Sequence, residues 1–265
     1  MNIKITLPMI VEHLGDFNPL ISSAAENSES LWFRSVALLP KVPPETPPGH
    51  TLYVSQMKHL KKRAVRLSEG CAVVAVDESR SPAAQPGDSA ATIVIRHDDL
   101  AEVFSSLQNF FASMAQWDAA MELALARRRS LQALIDLSEP YFSNPIFMVN
   151  RSLKLVAYTR NIPVKHPALV ELARTGNFPR EMVASLSRRK YLEKSESFTE
   201  IGSHHPPNYI NCTIIIKAFD PTNPLRLNTI SLYGLNSRPT EADLAKLSFL
   251  AASVVHHIAD AASES

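Results

Sequence analysis

The stretch Asn144-Pro-Ile-Phe-Met-Val-Asn-Arg-Ser-Leu-Lys-Leu-Val-Ala-Tyr158 decides how the second half of the chain is read. Pro145 to Val149 and Leu153 to Tyr158 are runs of large and branched apolar residues, and the polar Asn150, Arg151 and Ser152 lie between them, so the stretch predicts a β-hairpin. Two short helices are predicted next, over Pro167 to Arg174 and Pro179 to Leu186, each with proline in its first turn, where the missing N–H is harmless. Strands are predicted near Ser197 to Ile201, over Ile210 to Ala218 and over Arg226 to Tyr233. A last helix runs from Thr240 to Ala262: Thr240 and Asp243 cap it, and Leu244, Leu247, Leu250, Ala251, Val254, Val255 and Ile258 form its apolar stripe.

Upstream of the hairpin, Ser130 is a candidate N-cap for a helix over Leu131 to Leu137. Asp99 to Ala126 is the most regular stretch of all, opened by Asp99 and Glu102 as caps. Leu100, Leu107, Met114 and Met121 fall seven apart, and Val103, Phe110, Trp117 and Ala124 take the fourth position of each heptad. Such a seam zips against a second copy or packs on its own domain, and Phe104 and Phe111 widen the apolar face. The expected dimer contact comprises Leu100, Val103, Leu107, Phe110, Met114, Trp117 and Met121. Burial inside the monomer is the competing reading.

The first 96 residues alternate differently. Leu7 to Leu14 has helical spacing, Leu31 to Leu39 and Thr51 to Ser55 read as strands joined by a proline-rich loop, and Cys71 to Val76 and Thr92 to Ile95 read as strands covered on both faces. Met57, Leu60, Ala64 and Leu67 mark a helix that ends before Gly70. Its other sides carry Lys58, Lys61, Lys62, Arg63 and Arg66, which read as a solvated face, with an anion or nucleic-acid contact as the sharper alternative. Strand, helix and strand in this order imply a small α/β unit.

Composition excludes several classes. With 27 basic and 26 acidic residues among 265, the chain has no global field to draw it onto nucleic acid or an anionic membrane. No apolar run approaches the roughly 18 residues that a span needs. Glu12 and Asp16 interrupt the first segment, so it does not read as a signal peptide, and a cytoplasmic location is expected. Cys71 and Cys212 have no CxxC spacing and read as buried thiols of a reducing compartment. Only 7 glycines are present, and none makes a GxG, so the phosphate-wrapping loops that need a bare backbone are missing and no cofactor is expected. The pairs His204-His205 and His256-His257 are poor chelates, because adjacent helical side chains diverge by about 100°. No metal site is expected. No serine lies in an activating motif, and the chain does not read as an enzyme.

Three segments carry a family resemblance: Ser130-Leu-Gln-Ala-Leu-Ile-Asp-Leu-Ser138, the hairpin stretch Asn144 to Tyr158, and Ser237-Arg-Pro-Thr-Glu-Ala-Asp-Leu244. Together with the order of elements, a GAF or PAS type, they resemble the sensory region of PucR/CdaR-type bacterial transcriptional regulators over residues 97 to 262. The first 96 residues are similar, more loosely, to that family's N-terminal domain. The resemblance implies an effector-sensing region that signals through helices to a C-terminal helix-turn-helix. Because the sequence stops at Ser265, that reading head is expected to be missing here, and DNA would be reached only through it.

The expected fold class is α/β plus α+β: an N-terminal α/β domain over 1–96, a heptad linker helix over 97–129 and a GAF/PAS-like antiparallel-sheet domain over 130–265. Strand position, not the resemblance, nominates Phe147, Tyr158, Asn211, Thr213 and Tyr233, with Tyr191 from a connecting segment, to line a pocket for a small-molecule effector. Each has core filling as its alternative role. The whole is expected to be a homodimer. A stand-alone dimeric interaction module is the other function that the sequence allows.

Overall fold

The computed structural model describes residues 2–22, 31–39, 49–61, 70–79, 91–188, 199–200, 213–220 and 223–262. It is mixed α and β and divides into two compact units, with the boundary between Gln116 and Trp117. That boundary falls inside the long helix, within the expected linker segment 97–129.

In the N-terminal unit, β1 (Ile5–Thr6) leads into α1 (Leu7–His13), and β1 pairs antiparallel with β3 (Trp32–Phe33). A second sheet has the order β2-β7-β6-β5-β4, built from β2 (Leu20–Ile21), β4 (Ser35–Leu38), β5 (Thr51–Gln56), β6 (Ala72–Asp77) and β7 (Thr92–Arg96). Strands β4 to β7 are parallel and β2 closes the β7 edge antiparallel. A parallel sheet needs cover on both faces, which explains continuous apolar runs such as Ala72-Val-Val-Ala-Val76. Tyr53, Cys71 and Val73 pack under Leu60 of α2 (Met57–Lys61), while Leu52, Val74, Val76, Ile93 and Ile95 are fully buried. The expected strand Leu31 to Leu39 is split at Arg34, so that its halves join different sheets. The rest of the expected basic helix, including Lys62, Arg63 and Arg66, lies outside the described residues.

Helix α3 (Leu100–Ala126) begins as its sequence requires: Asp99 Oδ1 accepts from the amides of Ala101 at 2.7 Å and Glu102 at 3.4 Å. The Glu102 carboxylate stands 3.5 Å from His97 Nε2. Early in the helix, Ser106 receives His13, whose Nε2 lies 2.9 Å from the hydroxyl and 3.2 Å from the carbonyl oxygen, with Phe110 stacked on the imidazole at 4.5 Å. Burial holds His13 below the usual histidine pKa, against the pull of its Ser106 hydrogen bond and of Asp16.

The heptad seam is accounted for inside the single chain. Val103, Leu107, Met114, Trp117 and Met121 are buried there, and Leu100 and Phe110 are half-buried. Trp117 stacks on Tyr141 at 4.4 Å, meets Phe249 edge-on at 4.8 Å, and donates from Nε1 to Ser138 Oγ at 3.3 Å. Side chains already covered have little apolar surface left for a second copy, which fits the reading of burial inside the monomer that competes with the self-associating seam.

The C-terminal unit contains α4 (Leu131–Ser138), β8 (Ile146–Asn150), β9 (Leu155–Tyr158), α5 (Pro167–Thr175), α6 (Arg180–Arg188), β10 (Thr199–Glu200), β11 (Thr213–Asp220), β12 (Asn223–Tyr233) and α7 (Glu241–Ala262). Its five strands form one antiparallel sheet in the order β10-β11-β12-β8-β9. Ser130 caps α4 through the Ala133 amide, and Thr240 and Asp243 cap α7 reciprocally, at 3.1 and 3.2 Å. The predicted hairpin forms, with a turn built without glycine: Asn150 Oδ1 accepts from the amides of Ser152 and Lys154, and Leu153 takes φ 58° while its side chain is buried. Among the described residues, no helix is long and apolar enough to cross a membrane.

Leu107→Ala is expected to cost about 2–5 kcal/mol of stability. Its urea midpoint should not move with protein concentration, whereas a seam shared between two copies would make the midpoint concentration-dependent.

Candidate ligand-binding face

Residues paired directly across an antiparallel ladder share a face. Phe147 is opposite Tyr158 on one side and Ser231 on the other, and Val149 is opposite Leu155 and Thr229. With Tyr233 two positions beyond Ser231, one face of the sheet carries Phe147, Val149, Tyr158, Thr229, Ser231 and Tyr233. Helices α5 and α6 cover it with Leu169, Leu172, Met182 and Val183, and Phe178 and Val164 join from the connecting segments. On the reverse face Ile146, Met148, Ile230 and Leu232 are buried, and α4 and α7 contribute Leu134, Ile135, Leu250 and Val254 to the core.

The structure brings three of the expected pocket residues together. Phe147, 1% exposed, stacks on Tyr158 at 5.5 Å and meets Tyr233 edge-on at 5.8 Å. Both tyrosines are half-buried, so the buried phenylalanine lies between two rings that reach the surface. Thr213 is the register partner of Tyr233, which places it next along the same sheet. Tyr191 and Asn211 lie outside the described residues. Two buried hydroxyls were missed by the sequence reading: Thr229 and Ser231, each 5% exposed. Their signal was present in the alternation Thr229-Ile-Ser-Leu-Tyr233, which sends every second residue to one face.

The Tyr233 hydroxyl sits deep although part of the residue is exposed, and burial raises its pKa to about 12; the hydrogen bond with Ser231 acts in the opposite direction. Tyr233 is therefore a neutral phenol throughout the physiological range. A face of aromatic rings with a row of hydroxyls recognises ligands by stacking and hydrogen bonding.

A set of buried polar side chains fixes this face. Asn144, 0% exposed, donates from Nδ2 to the carbonyl oxygen of Ser237 at 3.0 Å and accepts at Oδ1 from the amides of Asn236 and Ser237. Asn236 Nδ2 returns a bond to the Ser143 carbonyl at 2.7 Å, and the Tyr233 amide donates to the Pro145 carbonyl at 3.0 Å. At the outer edge, Gln132 supplies an acceptor to the Tyr158 amide and a donor to its carbonyl, closing β9 as a neighbouring strand would. Glu139 accepts from the amides of Arg160 and Asn161. Among the described residues, no group of three or more His, Cys, Asp or Glu is placed to hold a metal ion.

Compared with protein-family models and with curated proteins, the chain matches none.

Asn144→Ala strips the 236–237 loop of buried partners and is expected to cost about 2–3 kcal/mol, with faster hydrogen exchange at Asn236 and Ser237. Tyr233 gives a separate pH signature. Its folded-state pKa lies above the ordinary 10.0, so its contribution to stability is complete below pH 10.0 and is lost as pH rises through about 12. Alkaline denaturation of wild type and Tyr233→Phe, followed alongside phenolate absorbance, should show that portion of the loss only in wild type.

Proposed function

We propose that the C-terminal unit is an effector-sensing domain similar to the sensory region of PucR/CdaR-type regulators, with the Phe147, Tyr158, Thr229, Ser231 and Tyr233 face as its small-molecule site. The observation that carries this reading is the strand order. Numbered within the unit, β9-β8-β12-β11-β10 is second, first, fifth, fourth, third, with α5 and α6 inserted between the second and third strands. That arrangement is expected of a GAF or PAS type sheet, where one face is kept for a ligand and the other packs on signalling helices. Two features support the reading: aromatic and hydroxyl groups mark the face under α5 and α6, and α4 and α7 contribute to the core on the other.

On this reading the domain binds its effector without transforming it, works in the cytoplasm, and passes occupancy through α7 to a DNA-reading helix-turn-helix. Such a relay requires the effector to bind one arrangement of α7 more tightly than another, since equal affinity shifts nothing. The segments that carry the family resemblance have matching roles. Asn144 holds Ser237, and Thr240 and Asp243 begin α7, so the motifs join the ligand-facing strand β8 to the output helix.

The test is a thermal-shift screen of the full chain against a panel of small metabolites. A true effector at about 100 times its Kd should stabilise the protein by about 2.7 kcal/mol. Ser231→Ala and Tyr233→Phe should each weaken it about five- to tenfold, the loss of one hydrogen bond. The proposal fails if no metabolite stabilises the folded chain, if the substitutions leave binding unchanged, or if the bound compound is chemically converted.

A further inference from the structure

Trp32 in the N-terminal unit is surrounded by nitrogen-bearing side chains from three separate segments. The β1–β3 register sets Thr6 opposite Trp32, which brings Lys4 alongside, and its Nζ lies 5.4 Å from the indole centroid. Arg34, two residues after Trp32, places its guanidinium carbon 4.9 Å from the same centroid. His50, immediately before β5, stacks on the indole at 3.8 Å with 22° between the planes, and its Nδ1 lies 3.1 Å from the Trp32 carbonyl oxygen. With His50 on one face of the ring, the cations over the indole are left the other.

The backbone is committed to this arrangement. His50 adopts φ 60°, a left-handed conformation that costs a non-glycine residue energy and persists only where surroundings enforce it. The Arg34 amide donates to the His50 carbonyl at 2.8 Å, which ties Arg34 and His50 together. Gly70, at φ 79°, is the one residue type that fits behind: a Cβ there would stand 3.1 Å from His50 Nδ1. Two left-handed residues and a strand register thus converge to set three nitrogenous side chains about one indole.

Two like charges gathered over one ring repel, and among the described residues neither Lys4 nor Arg34 is ion-paired with a carboxylate. An indole attracts each cation weakly and leaves the hydrogen-bonding edge of a stacked guanidinium free. That edge fits two oxygens of one anion, and an ammonium beside it adds a point charge. Both ring faces are already covered, so a nucleic-acid base has no platform to stack on.

We propose that Lys4, Arg34 and His50, arranged about Trp32, form a binding site for a phosphate group, free or as the monoester of a small molecule. The site is independent of the C-terminal face and of its proposed role.

The full chain is titrated calorimetrically with inorganic phosphate and with glycerol 3-phosphate, using sodium chloride of matched ionic strength as the control, while Trp fluorescence is followed in parallel. Saturable binding is expected for at least one phosphate compound, and the stronger of the two identifies the source. Lys4 and Arg34 are exposed, so Lys4→Gln and Arg34→Gln should leave the circular dichroism spectrum intact while weakening binding about tenfold or more. Arg34→Lys should recover only part of it, and Trp32→Phe should remove the fluorescence response. The site is refuted if chloride gives the same response, or if binding survives Lys4→Gln and Arg34→Gln combined. Binding of polyglutamate without binding of either phosphate compound would also overturn it, by assigning the cations to an acidic protein segment.

Discussion

Asn144 has no solvent to bond with, so each polar atom of its amide must find a partner inside the protein or cost the desolvation of an unpaired group. It does so by holding the backbone of Asn236 and Ser237, more than ninety residues away in sequence. This fixes where β12 stops and where α7 can start. The Thr240–Asp243 capping box then sets the first turn of the helix, and Asp243 pairs with Lys246 at 3.2 Å while both are buried. Lys246 in turn stands 5.6 Å from the ring of Phe142. Removing one partner from such a set leaves another buried and unsatisfied, so the start of β8 and the start of the last helix are held by the same set of bonds.

Features governed by near neighbours were legible in the sequence. The caps at Asp99, Ser130 and Thr240 each need a side chain to reach an amide two or three residues ahead, and all three do so. The hairpin was readable from two apolar runs and a polar interval, although its turn uses left-handed Leu153 where a glycine would be usual. Heptad spacing identified the buried stripe of α3 but not what covers it, because periodicity records which side of a helix is apolar and nothing of its partner. Trp117 illustrates the difference: its ring meets Tyr141, Phe142 and Phe249, and only folding brings Phe249 close. The break at Arg34 was likewise invisible, since an apolar run does not say that its two halves pair in different sheets.

The candidate face was half legible for the same reason. Phe147, Tyr158 and Tyr233 could be nominated as aromatics on predicted strands, and the register puts them together. Thr229 and Ser231 could not be ranked above the many other hydroxyls until the β12–β8 pairing set them opposite Val149 and Phe147. The two sheets also differ in what they leave for recognition. In the N-terminal unit the central strands β5 and β6 present apolar side chains to both sides, as parallel strands covered on both faces do. The antiparallel sheet has one face centred on the buried apolar Ile146, Met148, Ile230 and Leu232 and one where hydroxyls alternate into the ladder, and polar groups buried on a sheet define directions that an apolar core lacks.

The position of Tyr233 links recognition to output under the proposed reading. Its ring touches Phe147, its amide donates to Pro145, and the residues that follow are held by Asn144 three positions before Phe147. A ligand that displaced the Tyr233 ring would therefore act on the short stretch 144–147, leading into β8, that also anchors the approach to α7. The distance between cause and effect is a few residues, not the width of the domain, so no extended pathway of side chains is needed. What is needed is a second arrangement of the Asn144 clamp with its polar atoms again satisfied, because an arrangement that left them unpaired would cost about 1–3 kcal/mol for each group and stay unpopulated. The Ser237 hydroxyl, 3.0 Å from both Ser143 Oγ and Asn144 Nδ2 at the exposed rim, is the member of the clamp whose bonds water could replace at least cost.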